Sequence, residues 1–385
     1  MIVYTEYSRD ARVRREAETL ASIPEYKVTV LTLKEQEVAM NYHYEGVNVR
    51  ELNIPRYQGA SGRKYLSSYL KFMVLSFLAC AGLLFKRSVD ILHIHNMPNF
   101  LIFSALLPFL FGKKIILDIH DTMLETYLAK YDGKMNQWLY KILLFEESIS
   151  CAMAHKIICV NHIQRDILLR RGIPGEKTII LLNVPDPKIF NRENNTKNKV
   201  VDNGRLKIIY HGTVARRLGV DLAIRAVADL KEKMPNLEFH IIGSGESVQE
   251  CMRLISDLGA GENIFFQKQT PLAHLVKTLE TMDLGIVPNR KNSATELMLP
   301  VKMLECMALG IPVVVPRLKT IEYYFSDDMV YYFKPEDLSS LSDSIFNALS
   351  NKDGRTKKAQ NAMDFLKKYG WENHKYDLIN LYQHL

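Results

Sequence analysis

The feature that most constrains the fold is an alternation of short β-branched runs with helical periodicity, carried through almost the whole chain. Ile2–Thr5, Lys27–Leu33, Val47–Leu52, Ile91–His95, Lys114–Ile119, Lys156–Val160 and Thr178–Leu182 read as strands. Runs such as Lys-Ile-Ile-Leu-Asp-Ile are apolar without alternation, as strands covered on both faces of a parallel sheet are. Between them lie helical patterns: Val13, Ala17, Leu20 and Ala21 share a helix face, with Ser8 and Asp10 ahead of them as candidate caps. The alternation stops at residues 191–204, NRENNTKNKVVDNG, which are polar and without period. It restarts with Leu206–Tyr210, Leu237–Ile242, Asn263–Phe266, Leu284–Val287, Ile311–Val315 and Met329–Phe333. This pattern specifies doubly wound α/β sheets, and 385 residues exceed what one core usually serves. The expected organisation is one domain at 1–185, a linker at 186–205, a second domain at 206–356 and a helical tail at 357–385. A ligand is expected in the cleft between the domains.

Composition excludes several classes. A net charge of +7, from 50 Lys+Arg against 43 Asp+Glu, suits a phosphorylated substrate or an anionic surface and is too small to demand nucleic acid. Five scattered cysteines without a C-x-x-C pair read as buried thiols of a reducing compartment. Charge arrives at Glu6, so no secretory signal is read at the start, and a cytoplasmic location is expected. Tyr65–Phe85 is long enough to test as a membrane span, but Lys71, three serines and Gly82 interrupt it. Phe100–Phe111 is too short to cross. Both are expected as core helices, with peripheral contact to an anionic membrane as the alternative.

Strand ends are where a doubly wound sheet binds ligands. In the first domain these carry His93, His95 and Asn96, then His120 and Asp121. His93 reads as a core residue. His120 reads as facing the cleft, where imidazole can bond a hydroxyl or phosphate while Asp121 fixes its tautomer or itself binds a hydroxyl. None of these has metal-ligand spacing with a third partner, and no metal is expected. The second domain opens with Tyr210-His211-Gly212-Thr213-Val214-Ala215-Arg216-Arg217-Leu218-Gly219 and a helix. Strand, glycines, arginines and a helix start together suggest an anion site. Gly243 and Gly245 close the next strand as a weaker, turn-like signal without the third glycine of a dinucleotide fingerprint. On the helix after Pro300, with Val301, Leu304 and Ala308 as its buried stripe, Lys302 and Glu305 share a neighbouring face. They are either a surface ion pair or an ammonium near phosphate beside a carboxylate holding ribose hydroxyls.

The segments LPVKMLECMALGIPVVV, HGTVARRLGVDLAIRA and RDARVRREAETLA resemble the retaining glycosyltransferases of family four. VDILHIHNMP, IILDIHDTMLETY and LLNVPDPKIF follow in the same order as similar strings in that family. The resemblance implies the GT-B fold: two Rossmann-like domains facing each other across a cleft, a nucleotide-sugar donor on the second, an acceptor on the first, and a last helix returning to the first. It assigns Glu305 to the donor ribose, Arg217 to the diphosphate, Gly212 to the turn beside the phosphates and His120 to the reacting sugar. Two departures stand out. The family's two glutamates are separated by seven residues, whereas Leu297 occupies that earlier position and Glu296 lies one residue before it. Leu218 replaces the usual lysine, leaving Lys302 as the second phosphate cation.

The implied reaction moves a sugar from a nucleoside diphosphate, UDP in preference to GDP, to a hydroxyl with its anomeric configuration retained. No separate cofactor is implied. The acceptor implied is a glycan or lipid-linked molecule of surface polysaccharide or glycolipid assembly, met in the cytoplasm or at the inner face of the membrane. A nucleotide-sugar epimerase and a non-catalytic binding relative are the rival readings.

Overall fold

The computed structural model describes residues 1–57, 59, 61–131, 133–191 and 204–385. Most of the expected linker, residues 192–203, lies outside the described residues. The chain divides into two compact units, Met1–Asn183 with His374–Leu385, and Val184–Asn373.

Unit 1 runs α1 (Ala11–Ala21), β1 (Thr29–Lys34), β2 (Asn41–Tyr44), β3 (Val47–Pro55), α2 (Gly62–Phe85), β4 (Ile91–His95), a 3-10 turn (Asn99–Ala105) and α3 (Leu106–Leu110). It continues with β5 (Lys114–Ile119), α4 (Met123–Lys130), α5 (Gln137–Met153), β6 (Lys156–Cys159), α6 (His162–Arg170) and β7 (Thr178–Ile180). Asp10 caps α1, its side chain accepting from Val13 N–H at 3.0 Å, while the Ser8 N–H donates to Glu35. Strands order as β1-β3-β2 and β4-β5-β6-β7. The expected strand Ile2–Thr5 is reduced to bridges, Ile2 pairing with both Leu31 and Ile94. Those bridges join β1 to β4, so the strand order reverses beside β4 and its carboxyl end becomes the expected ligand position. The sequence reading missed β2, a short antiparallel partner of β3 across a Glu45-Gly46 turn with φ of 48° and 80°. Ile2, Leu31, Ile94, Ile115, Leu117 and Ile157 form the core with Phe72 and Ala79 of α2.

Unit 2 runs β8 (Leu206–Thr213), α7 (Val220–Asp229), β9 (Leu237–Ser244), α8 (Val248–Asp257), β10 (Ile264–Gln267), α9 (Leu272–Leu279), β11 (Leu284–Ile286), α10 (Val301–Ala308), β12 (Val313–Pro316), α11 (Lys319–Tyr324), β13 (Tyr331–Phe333), α12 (Leu338–Ser350) and α13 (Lys352–Tyr369). All six strands are parallel, ordered β10-β9-β8-β11-β12-β13. The order reverses between β8 and β11, so the carboxyl end of β8 borders the switch crevice. Val220, Ala223, Ile224 and Val227 of α7 bury against Ile208, Tyr210, Phe239 and Ile241. Both α13 and α10 stay within this unit. Of the tail expected at 357–385, the part that belongs to unit 1 is 374–385, most of α14 (Trp371–Gln383) with the two residues after it.

The expectation that Tyr65–Phe85 is a core helix needs correction. In α2 only Phe72, Ser76, Ala79, Cys80 and Leu84 are buried, and Leu66, Leu70, Val74 and Leu78 are exposed.

Candidate active site

In unit 2 the sequence places its chemistry on β8 and α10. Pro300 precedes α10 in an extended conformation and Gly310 follows it at φ 73°, so the helix is confined to two turns. Met303, Leu304, Cys306 and Met307 form its buried side, so of the expected stripe Leu304 is buried while Val301 and Ala308 are only half-buried. Lys302 and Glu305 are each directed at β8. Glu305 Oε2 lies 2.7 Å from His211 Nε2, and the Lys302 ammonium donates to Tyr210 Oη at 2.7 Å while sitting 4.1 Å from that ring's centre. These partners rule out the bland reading of a solvated surface pair.

Gly212 follows His211 with φ 105°, and a Cβ there would sit 3.4 Å from Lys302 Nζ. The lysine therefore lies over bare backbone, the arrangement a phosphate group needs to reach both cation and N–H. Burial drives the Lys302 ammonium down to about 7, with Glu305 opposing the shift and Arg217 adding to it. Glu305 lies three residues further along the same helix, and the Arg217 charge acts on the same ammonium.

Arg216 and Arg217 lie on a single 3-10 turn before α7. Gly219 ends that turn at φ 66°, where a Cβ would meet the Pro288 carbonyl at 2.0 Å. Arg290 fixes the turn from outside, donating to Arg216 O at 2.8 Å and to both Asp221 oxygens at 2.7 Å. Arg216 is exposed and Arg217 half-buried. Gly243 and Gly245 have a packing function: a Cβ on Gly243 would lie 2.0 Å from Gly212 O, and one on Gly245 would lie 2.1 Å from Val214 O. They let the ends of β8 and β9 close together beneath the Gly212 turn. Glu296 lies on a separate 3-10 turn, 3.7 Å from Lys291 Nζ, with its carbonyl bonded by Thr320 Oγ1.

In unit 1, His120 caps the end of β5 and is partly exposed. Its Nε2 lies 3.2 Å from Asp118 Oδ2 and 3.1 Å from His95 Nδ1. Asp118 is the carboxylate that lies at His120 Nε2, a partner that the expectation for Asp121 did not include. Side chains two apart share a face of a strand, whereas Asp121 follows in an exposed position with its carbonyl bonded by Asn96. Beneath His120, Arg12 donates to both Asp118 oxygens at 3.0 and 2.8 Å and lies 3.0 Å from Glu16. His93 is buried, as expected, with Nδ1 2.9 Å from Tyr382 Oη of α14.

Burial alone would raise the Asp118 carboxyl, but Arg12 and then His120 outweigh it and hold it well below the usual range. His120 is raised in turn, Asp118 overcoming the opposite effect of burial. His95 is driven well below the ordinary histidine value, mainly by burial. Glu16, His93, His95 and Asp118 bring ligand-type atoms within 4.8 Å of one another. Arg12 supplies a cation that lies against both carboxylates within this cluster, and Asp118 holds His120 Nε2 at 3.2 Å. Sequence reasoning missed Arg12, Glu16, Asp118 and His211 as site residues.

The family described as glycosyl transferases group 1 matches residues 191–365, and the glycosyl transferase 4-like domain matches residues 10–183. Among curated proteins, the chain is 26% identical over 182 residues to a D-inositol 3-phosphate glycosyltransferase of Corynebacterium urealyticum. That match spans 45% of this chain and 42% of the relative, less than half its length. Sucrose-phosphate synthase from Thermosynechococcus elongatus has a similar fold, with a TM-score of 0.75 at 17% identity over 100% of this chain and 98% of that one. The Anabaena protein HepE, solved with UDP and glucose, gives 0.73 at 13% identity over 100% and 99%. With both halves matched in order and the two-domain α/β architecture in place, the chain belongs to the group 1 glycosyltransferases of the GT-B fold.

Proposed function

We propose that the protein transfers a hexose or N-acetylhexosamine from a nucleoside diphosphate to a hydroxyl, retaining the anomeric configuration. The reading rests on one observation: Lys302 over the bare Gly212 turn, with Glu305 held by His211 at the same strand end. In this reading Glu305 accepts hydrogen bonds from the donor ribose, while Lys302, Arg217 and backbone N–H groups meet the diphosphate. As the sugar–phosphate C–O bond breaks, negative charge grows on the leaving diphosphate, where fixed cations lower the barrier most. The acceptor oxygen forms the new C–O bond on the same face and passes its proton to a phosphate oxygen. His120, its protonated form favoured by Asp118, donates to the sugar. Asp121 and Glu296 are the remaining carboxylates offered for hexose hydroxyls, and Arg216 is a peripheral phosphate contact.

UDP is the proposed nucleotide, as in the HepE complex, and the proposed acceptor belongs to surface polysaccharide or glycolipid assembly. Calorimetric titration with UDP- and GDP-sugars, paired with nucleoside diphosphate release with and without glycan or lipid acceptors, tests this. Acceptor-dependent release is the expected result, and Glu305→Gln should weaken donor affinity at least tenfold. Donor affinity unchanged in that variant removes Glu305 from the site, and sugar conversion without acceptor makes the protein an epimerase.

A further inference from the structure

Helix α2 carries Leu66, Leu70, Val74 and Leu78 at four-residue spacing, all exposed, with Leu78 at 59%. Its opposite side is seated on unit 1 through Phe72, Ala79 and Cys80. The helix therefore lies on the unit with an aliphatic stripe facing outward. Helix α3 packs beside it and exposes Leu106 and Leu110, followed by Phe111. Helix α5 packs on the 3-10 turn leading into α3 and adds exposed Trp138, Ile142 and Phe145. Soluble monomers rarely leave so many large side chains on neighbouring elements without a partner. A groove of about 690 Å³ runs along α2, lined among others by Ile54, Arg63, Leu66, Leu70, Lys71 and Val74.

Charge decides what covers this surface. Residues 62–89 contain Arg63, Lys64, Lys71, Lys86 and Arg87 and no Asp or Glu, and Lys113 and Lys114 follow α3, Lys113 paired with Asp90 at 3.3 Å. A protein partner is not required to be uniformly acidic and aliphatic at once, whereas an anionic bilayer presents phosphate outside and hydrocarbon beneath it everywhere. Long basic side chains keep their charge at the headgroups while their stems and the leucine stripe sink below. We infer that α2 and α3 form a peripheral docking surface for an anionic phospholipid bilayer, with the α2 groove taking a lipid chain and Arg63 and Lys71 its phosphate. This places unit 1 at the inner, anionic face of a cell membrane. The inference is independent of the donor chemistry proposed above.

Sedimentation of the full chain with phosphatidylglycerol–phosphatidylcholine vesicles and with pure phosphatidylcholine vesicles tests it without any sugar donor. Binding to the anionic vesicles should be at least tenfold tighter and should fall on adding salt, as screening requires. Leu66→Ser combined with Leu70→Ser and Leu78→Ser should reduce it a further tenfold, and Lys71→Glu should reduce the anionic preference. All four positions face outward, so the melting temperature should hold. Equal binding of wild type and the triple variant overturns the inference, as does absence of binding to either vesicle. A wild-type dimer that the triple variant converts to monomer also overturns it, reassigning the surface to a second copy of the chain.

Discussion

His211 Nε2 lies 2.7 Å from Glu305 Oε2, joining the last buried side chain of β8 to the middle of α10. His211 is almost wholly buried and Glu305 remains partly open, so one carboxylate oxygen is held while the group stays available. In the proposed reading this carboxylate accepts hydrogen bonds from two ribose hydroxyls, and a fixed orientation favours that because less freedom is lost on binding. On the proposed donor role of Glu305, His211 is its positioning residue. Its replacement, His211→Leu, should raise the donor KM about tenfold, about 1.4 kcal/mol, with kcat little changed. His211→Gln, which can still donate, should recover part of the loss. Steady-state kinetics on both variants checks this, and an unaltered KM in the leucine variant removes the role.

Lys302 gives the site a pH dependence whose sign follows from its burial. The ammonium of the free protein titrates at about 7, and a bound diphosphate raises that value by adding charge beside it. Below the free value the lysine is protonated in both states, so donor affinity is flat with pH. Above about 7 binding must take up a proton, and affinity should fall up to tenfold per pH unit until the bound-state value is reached. The intact donor is a diphosphate diester that does not itself titrate in this range. Calorimetry in buffers of different ionisation enthalpy, from about pH 6 to 9, should show proton uptake, and Lys302→Met should abolish the slope. An affinity constant across that range in the wild type contradicts the assignment.

The parallel strands were legible because unbroken β-branched runs have few other uses, and β4 and β5 fall where the runs do. Lys302 and Glu305 were legible because helical spacing put them on one face. Their partners were not, since His211 and Glu305 are 94 residues apart and a single histidine before glycine carries no pattern. Asp118 was hidden inside an apolar run, where it reads as part of the strand. Arg12 and Glu16 were hidden for the opposite reason: charged helix positions read as solvated, yet α1 buries both beside Val13, Ala17 and Leu20. Gly243 and Gly245 were visible as a turn, but their reason, close backbone approach to β8, depends on register that no local pattern encodes. In α2, hydrophobicity was plain and its direction was not, because a helix apolar all round gives no face to the reader.

The buried pair under His120 gives the sharpest stability prediction. Arg12, Glu16 and Asp118 are 3% exposed or less, and Arg12 also donates to Leu181 O at 3.2 Å. Burial raises the Glu16 carboxyl to about 7 even with Arg12 beside it. Arg12→Met should therefore leave two buried carboxylates without their cation and cost about 3–5 kcal/mol at neutral pH. The pH dependence has a definite sign. In the wild type, Asp118 is held below its unfolded value, so its stabilisation is present above about pH 4 and lost as pH falls through the folded value. In the variant, burial without Arg12 raises Asp118, and protonation relieves the penalty. The difference between the two proteins should accordingly shrink as pH falls from about 7 towards 4.5. Arg14→Met provides the control, since the Arg14–Glu18 pair at 3.2 Å is partly exposed and should change stability by no more than about 0.5 kcal/mol. Urea unfolding of the three proteins at both pH values measures this, and a loss below about 1 kcal/mol for Arg12→Met at neutral pH would show that the carboxylates find another counterion.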